Sequence, residues 1–281
     1  MSRVLVFGLT GQVGQALRVG LLARGVPVVA VSRRTRADEP GLDWQQADLP
    51  STPILSADLD TILSLGPLDA FAEWFQRVAP AHTGPLRVVA LGSTSRHFKH
   101  DSPDPAERDV AERLALAEDR LFKTAALTGA AVTVLRPTLI YGLGQDRSLS
   151  VLIAFGRRWG VVPLPRSGLG HRQPVHAADI AEAVLRCLDT PASAGYAYDL
   201  PGGEVLRFDE MVRRALVRQV PGCRIWRLPA PVFAVLIRLA AVTGRLPMSG
   251  AGFLARLGRD QIADRHPVEQ ALGLHLRSFD P

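Results

Sequence analysis

The 281-residue chain has few thiols and few amines: its only cysteines are Cys187 and Cys223, and its only lysines are Lys99 and Lys123. Two cysteines cannot form the disulfide framework of a small secreted protein, and no signal-peptide pattern precedes the first apolar segment. We therefore expect a reducing, cytoplasmic setting, and we expect no metal site.

Long hydrophobic runs are absent as well. The most apolar stretch, residues 231–242, is interrupted by Arg238 and is far shorter than the roughly 20 residues that cross a bilayer. We expect no transmembrane segment. This stretch either packs onto the main domain, which we favour, or forms an interfacial or partner-docking helix; a homodimer or a protein partner stays open.

The formal net charge of +6 comes mainly from scattered arginines, without a basic tract or interleaved aromatic residues. This distribution argues against a nucleic-acid-binding surface. It suits anionic ligands, namely a dinucleotide phosphate and an acidic or phosphorylated substrate. A compositional bias toward arginine explains the charge equally well.

An apolar strand pattern at residues 3–7 runs directly into a turn with regularly spaced glycines. Gly8 allows the tight turn, Gly11 lets the backbone approach a pyrophosphate, and Gly14 lets the following helix pack on the sheet. An amphipathic helix over 12–24 would present its N-terminus to the anion. The alternative is an ordinary strand-turn-helix corner. The predicted cofactor contacts here are Gly8, Thr10, Gly11, Gln12, Val13 and Gly14.

The next strand pattern, residues 26–31, ends in Ser32, Arg33 and Arg34. A fold selective for NAD usually carries an acidic residue here for the ribose hydroxyls, whereas two guanidiniums suit the 2′-phosphate of NADP. We therefore predict that NADP(H) is preferred over NAD(H). The alternative is a solvated loop that also includes Arg36.

Strand and helix patterns alternate along the chain, with further strands at 43–46, 61–65, 87–91 and 131–135 and a helix at 68–78. They predict an α/β fold, a Rossmann-type doubly wound parallel sheet with a smaller, mostly helical C-terminal substrate lobe. Residues 1–145 form the cofactor domain, to which 174–200 return, and 146–173 with 201–281 form the lobe. The lobe helices are expected at 207–220, 231–243, 252–257 and 267–272.

Ligands of such sheets bind at the carboxyl ends of the strands. Residues that directly follow the predicted strands are therefore further candidates for cofactor contact. They are Asp48, Leu49, Leu65, Gly66, Pro67, Pro137 and Ile140.

The chain resembles the extended and atypical short-chain dehydrogenase/reductase superfamily, which includes nucleoside-diphosphate-sugar epimerases and dehydratases. The resemblance covers nearly the whole chain and rests on an ordered series of motifs. They are GLTGQVG at 8–14, ADL at 47–49, GSTS at 92–95, LRPTLIYGLG at 135–144, PVHAADIAEAV at 174–184 and YDLPGGE at 198–204.

The family's catalytic pair, a Tyr and a Lys four residues apart on one helix face, is missing. When Glu118 is aligned with the acid that commonly follows the pair, Val110 and Leu114 occupy the two positions. The result does not depend on this alignment, because none of the three tyrosines, Tyr141, Tyr196 and Tyr198, has a lysine four residues later.

Hydride transfer also needs a group that manages the proton of the carbonyl or alcohol. The resemblance places a hydroxyl at residues 93–95, where Ser93 is our first choice beside Thr94 and Ser95. His97 and Lys99 follow and could donate a proton, although a solvated surface loop is the interpretation we favour for these two.

The substrate side is predicted after residue 137, where Tyr141 would form a lid or a wall of the site. Of the lobe arginines, Arg172 is the best placed; the others are Arg147, Arg157, Arg158 and Arg166. His176 and Asp179 match a family motif that ties a loop to a helix start, so we favour a structural role over a catalytic one.

Two functions remain. The leading one is an atypical NADP(H)-dependent oxidoreductase or epimerase/dehydratase-like enzyme for a small, anionic or sugar-derived metabolite. The rival is a non-catalytic NADP(H)-binding redox sensor or accessory subunit, which Val110 and Leu114 favour.

Overall fold

The computed structural model describes residues 3–49, 59–144, 146, 149–167, 169–242 and 250–281. Its strands are β1 (Arg3–Phe7), β2 (Val28–Ser32), β3 (Leu42–Gln46), β4 (Leu59–Ser64), β5 (Arg87–Leu91), β6 (Ala131–Pro137), β7 (Ile140–Tyr141), β8 (Val161–Pro165), β9 (His171–Arg172), β10 (Val175–His176), β11 (Ala197–Leu200), β12 (Leu206–Arg207) and β13 (Arg224–Leu228).

The helices are α1 (Gln12–Ala23), α2 (Leu68–Val78), α3 (Ser95–Phe98), α4 (Pro105–Thr128), α5 (Leu149–Trp159), α6 (Ala177–Asp189), α7 (Phe208–Gln219), α8 (Ala230–Val242), α9 (Gly250–Leu257) and α10 (His266–Leu272). Short 3₁₀ turns lie at Ala79–Ala81 and Pro191–Ser193.

A seven-stranded parallel sheet forms the centre of the molecule, in the order β11-β6-β5-β4-β1-β2-β3. The chain first builds outward from β1 through β2 to β3, and then returns to the other side of β1 with β4. The strand order therefore reverses between β1 and β4, and at such a point the loops diverge and leave a crevice at the carboxyl edge. The predicted doubly wound α/β fold is confirmed.

Both faces of the sheet are covered because its strands are apolar on both sides: Val6 and Val89 are fully buried on one face, and Ile62 and Val88 are fully buried on the other. Helices α1 and α6 pack on one face and share a core with the strands. Helices α2 and α4 pack on the other face. A third core lies in the lobe, where α5, α7 and α8 surround β8 and its parallel partner β13.

The predicted bounds of α2 and β5 agree with the structure, and the lobe helices lie within a few residues of their predicted positions. Strand β2 begins two residues later than the apolar pattern predicts. The physical reason is Pro27, which has no backbone N–H to donate to a neighbouring strand. Its carbonyl instead accepts a hydrogen bond from the N–H of Val4.

We predict that Trp74→Ala lowers the free energy of unfolding by about 3–5 kcal/mol, because it opens a cavity in the core between α2 and the sheet. Trp74 is fully buried, and its ring lies edge-on to that of Phe7, with 4.9 Å between centroids. Urea unfolding measures the change. Leu127→Ala, at a side chain that is 87% exposed, is the control and should change stability by less than about 0.5 kcal/mol.

Candidate functional site

The glycine turn after β1 lies at the sheet crevice, and each glycine meets a different constraint. Gly8 has φ +83°, and a Cβ there would lie 3.0 Å from the backbone carbon of Leu65. A Cβ on Gly14 would lie 2.5 Å from the backbone of Gly8 and Leu9. These two glycines are therefore required by the protein's own packing.

Gly11 differs, because the nearest atom to a Cβ there is the Gly8 carbonyl oxygen, at 3.4 Å. Its N–H donates to that same oxygen over 3.0 Å. The fold itself would therefore accept a side chain at Gly11. A need for glycine at this position would come from a ligand that approaches the backbone.

Helix α1 begins directly at this turn and presents uncompensated backbone N–H groups. Its N-cap, Gly11, makes no side-chain cap, and its first turn carries no acidic residue. The side-chain oxygen of Gln12 is buried and has no hydrogen-bond partner among the residues the structure describes. The positive end of the helix is thus available to an anion such as a pyrophosphate.

The loops beside the turn hold further predicted contacts. Leu65 donates its N–H to the Phe7 carbonyl over 2.9 Å, so the segment from Leu65 through Gly66 to Pro67 lies beside the turn, and Pro67 caps α2. Ala47 donates its N–H to the Ser32 carbonyl, which brings the chain before Asp48 and Leu49 to the end of β2.

Arg33 and Arg34 follow β2 and are exposed. The Arg34 N–H donates to the Ser32 hydroxyl over 3.2 Å, and the Gln46 amide donates to the Arg33 carbonyl over 3.4 Å, so the loop backbone is held. Neither guanidinium forms an ion pair within the described part of the chain. Both can therefore receive a phosphate.

The hydroxyls that follow β5 differ in availability. Thr94 is 3% exposed, and both its N–H and its hydroxyl donate to the carbonyl of Pro137. The Ser93 hydroxyl is half-buried and accepts the Ser95 N–H over 3.1 Å, which leaves its own proton for another acceptor. Ser93 is thus the better placed of the two to bind a ligand oxygen.

A buried carboxylate, Glu118 on α4, connects the elements around these hydroxyls. Glu118 is 1% exposed and accepts hydrogen bonds from Arg96 of α3 and Arg136 of β6. Burial opposes the charge of Arg136, but the hydrogen bonds to Glu118 outweigh it, so the pKa of Arg136 is raised. Val110 and Leu114, two turns and one turn before Glu118, are half-buried and apolar.

The proton donors predicted after β5 face two different neighbours. His97 Nε2 lies 3.5 Å from a carboxylate oxygen of Asp199 on β11. Lys99 is half-buried, and its pKa is lowered by burial and by the charge of Arg256. His97 therefore has a carboxylate beside it that can orient its ring.

Tyr141 is 2% exposed and lies under the C-terminal segment of the chain. Its hydroxyl accepts the Asp280 N–H at 3.3 Å and donates to the Ser278 carbonyl at 3.4 Å, and its ring packs on Phe279. These contacts bury Tyr141 beneath residues 278–280 and argue against a role as a lid.

His176 caps α6, since its Nδ1 accepts the Ala178 N–H over 3.1 Å. Burial and the nearby charge of Arg277 lower its pKa, which keeps the ring neutral and able to accept. Asp179, in the first turn of α6, accepts hydrogen bonds from the backbone N–H and the guanidinium of Arg277. The geometry agrees with the structural role that the sequence favours for this motif.

Arg172 is 4% exposed, and its guanidinium donates to the carbonyls of His171, Arg256 and Arg259. It thereby satisfies backbone groups at the end of α9. Burial lowers its pKa to about 10. These contacts favour a structural role over the substrate contact expected from the sequence. Of the other lobe arginines, Arg157, Arg158 and Arg166 are exposed, and Arg147 lies outside the described residues.

Three features of this region were not predicted from the sequence. They are the two ion pairs of Glu118, the Asp199–His97 contact, and the attachment of residues 277–280 to Tyr141 and Asp179. Each joins residues far apart in the chain, so no local pattern signals it. Of the sequence motifs, only the one around Arg136 points to the ion pairs of Glu118.

No family model matches the chain. One relative is subunit 9 of the mitochondrial NADH dehydrogenase (ubiquinone) 1 alpha subcomplex from Dictyostelium discoideum. It is 33% identical to this chain over 81 residues, which are 28% of this chain and 22% of that protein. The protein of the same name in Arabidopsis thaliana is 29% identical over 164 residues, 57% of this chain and 38% of that one. The aligned segments thus span well under half the length of these relatives.

Solved structures match over nearly the whole chain. MoeE5 in complex with UDP-glucuronic acid and NAD has a TM-score of 0.71 at 19% identity, covering 99% of this chain and 95% of MoeE5. UDP-glucuronic acid 4-epimerase from Bacillus cereus, with UDP-glucuronic acid and NAD, has a TM-score of 0.74 at 14% identity. The match covers 99% of this chain and 95% of the epimerase. The chain therefore has the fold of the NAD-dependent epimerases and dehydratases, as the resemblance in sequence predicts.

We predict that Gly11→Asp abolishes dinucleotide binding because it places bulk and negative charge where the pyrophosphate would approach the helix N-terminus. The melting temperature should stay nearly unchanged, because the fold has room for a Cβ there. Calorimetric titration with NADPH and thermal unfolding measure the two effects. Gly14→Ala is the contrasting variant, in which stability itself should fall. Unchanged affinity in Gly11→Asp would contradict the assignment.

Proposed function

We propose that this chain is an atypical NADP(H)-dependent oxidoreductase or epimerase/dehydratase-like enzyme acting on a small, anionic or sugar-derived metabolite. The observation that carries the proposal is the turn at Gly11, where the fold leaves space above the backbone and an uncompensated helix N-terminus points to it. Two structures with this fold, MoeE5 and the Bacillus cereus 4-epimerase, hold NAD and UDP-glucuronic acid.

The division into a cofactor domain, residues 1–145 with 174–200, and a substrate lobe, 146–173 with 201–281, is part of this proposal. It is supported by β11, which lies in the returning segment and pairs with β6 of the main sheet. It is supported also by the separate hydrophobic core that the lobe builds around β8.

The preference for NADP(H) rests on Arg33 and Arg34. Both follow β2, at the strand end that meets the adenosine ribose in dinucleotide-binding folds. Neither guanidinium pairs with a carboxylate among the described residues. A guanidinium donates paired, charge-assisted hydrogen bonds to a phosphate and also stacks on adenine.

A bound nicotinamide would supply hydride transfer. The Ser93 hydroxyl would then hold the reacting oxygen of the substrate, since its own proton is available for donation. His97, with Asp199 beside it, would hold the proton that this oxygen gains or loses. Ser95 would supply a second hydroxyl beside Ser93, and Lys99 would supply a nearby cation. Tyr141 and His176 would shape the wall of the site.

The second candidate is a non-catalytic NADP(H)-binding subunit or redox sensor. Two observations favour it: apolar Val110 and Leu114 replace the expected proton-transfer pair, and the relatives named above are subunits of an NADH dehydrogenase complex. Such a protein would keep the cofactor turn and need no proton path.

We predict that replacing Arg33 and Arg34 together with Ala weakens NADPH binding by roughly tenfold or more and leaves NADH binding nearly unchanged, because only NADPH carries the 2′-phosphate. Calorimetric titration with both nucleotides measures this. Arg36→Ala is the matched control, since that guanidinium already lies over the Trp44 ring, 5.0 Å from its centroid. Equal losses for both nucleotides would argue against the phosphate site.

We predict that the NADPH complex reduces at least one member of a panel of aldehydes, ketones and nucleotide sugars, and that Ser93→Ala lowers this turnover by about 10²-fold while NADPH affinity is retained. Absorbance at the nicotinamide band measures the turnover. Full turnover in Ser93→Ala would remove Ser93 from the reaction. Tight binding without turnover across the panel would favour the second candidate.

A further inference from the structure

Positive charge is concentrated in one part of this protein. Residues 147–178 and 211–259 contain fourteen arginines and no aspartate, glutamate or lysine. Because the whole chain carries a formal charge of +6, all remaining residues together carry −8. The two basic stretches supply α5, β8, β13, α8 and α9. The whole lobe, residues 146–173 and 201–281, contains 17 arginines and 8 acidic residues and so carries +9, while the rest of the chain carries −3.

Several of these arginines are neutralised by neighbours: Arg213 and Arg214 pair with Glu210, and Arg227 pairs with Asp209. Others remain exposed and form no ion pair within the described residues. They are Arg157, Arg158, Arg166, Arg224 and Arg238. The lobe surface thus keeps a net positive charge that the cofactor proposal does not use.

The same lobe exposes a continuous aliphatic face on α8. The helix buries Phe233 and Ile237 in the lobe core, where they are 3% and 8% exposed. A separate face carries Val232, Val235, Leu236 and Leu239, at 53%, 55%, 41% and 60% exposure. Their spacing is that of one helix stripe. An ordinary surface helix would carry polar residues there.

Helix α5 shows the same feature and adds aromatic rings. Val151, Phe155 and Trp159 stand four residues apart and are 36%, 41% and 61% exposed. The Arg158 guanidinium lies over the Trp159 ring, 5.4 Å from its centroid. On β13, Trp226 is 59% exposed between two arginines. Indole rings beside guanidiniums are typical of groups that settle at a lipid headgroup region.

We propose that the lobe lies on an anionic lipid surface, with the aliphatic face of α8 and the exposed face of α5 among the outer acyl chains and the arginines among the headgroup phosphates. Both helices pack against β8, so both are fixed in one body. Charge complementarity supports lipid, since arginines near an anionic surface are attracted to its headgroups.

The lobe would lie on the membrane without crossing it. Helix α8 has 13 residues, about 20 Å of helix, against roughly 30 Å of hydrocarbon core. No helix within the described residues is long and apolar enough to cross. A second copy of the chain is a poorer occupant, because a symmetric contact would place two basic lobes against each other.

Co-sedimentation of the purified chain with phosphatidylglycerol/phosphatidylcholine vesicles tests the proposal. We expect at least about tenfold more bound protein than with pure phosphatidylcholine, and partial release at high salt. Val235→Gln with Leu236→Gln should lower binding by about tenfold, because it removes the apolar contact without changing the charge. Leu127→Gln is the matched control: this exposed leucine lies on α4, outside the lobe, and binding should not change.

Circular dichroism and thermal unfolding establish that the variants are folded, and NADPH titration should give wild-type affinity for both, so that failure here is distinct from failure of the cofactor proposal. Absence of binding to the anionic vesicles would overturn the proposal. So would binding that the double glutamine variant leaves unchanged, which would indicate adsorption by charge alone. A dimer in light scattering that the double variant dissociates would assign the face to a second copy instead.

Discussion

The buried carboxylate of Glu118 holds together the elements that form the carboxyl edge of the sheet. Its two guanidinium partners come from different elements, Arg96 from α3 and Arg136 from β6, and Arg136 reaches on to Asp199 of β11 at 3.5 Å. An ion this deeply buried is tolerated only with good partners, and removal of one partner typically costs about 3–5 kcal/mol. The segment that carries Ser93 and His97 is therefore held by this group through Arg96, and also by the hydrogen bonds from Thr94 to the Pro137 carbonyl.

The same helix carries the departure from the catalytic pattern. Val110, Leu114 and Glu118 stand at four-residue spacing and so share one side of α4. Glu118 accepts hydrogen bonds that keep the edge of the sheet assembled, whereas Val110 and Leu114 are the residues that the resemblance aligns with the family's catalytic pair. In the proposed function, dinucleotide binding would depend on the glycine turn, and proton transfer would depend on other residues.

Those parts of the molecule that are encoded locally could be predicted from the sequence. These are the glycine turn at Gly8, Gly11 and Gly14, the alternation of strands and helices, and the position of the arginines after β2. Each depends only on residues within one supersecondary unit. The roles of Arg172 and Tyr141 could not be predicted, because they depend on partners at 256–259 and at 278–280. Such contacts follow from tertiary packing, which a one-dimensional pattern does not contain.

The predicted polar residues also differ in how many hydrogen-bond donors or acceptors they still have available for a ligand. Thr94, His176 and Arg172 already give their donors or acceptors to backbone groups, and a group so engaged would have to break those bonds to bind a ligand. Ser93 retains a proton, and Arg33 and Arg34 retain whole guanidiniums within the described residues. In the proposed function, a ligand would therefore be held at the least energetic cost by the residues on the nucleotide side and by Ser93, and the proposed lipid surface would be the anionic partner of the exposed lobe arginines.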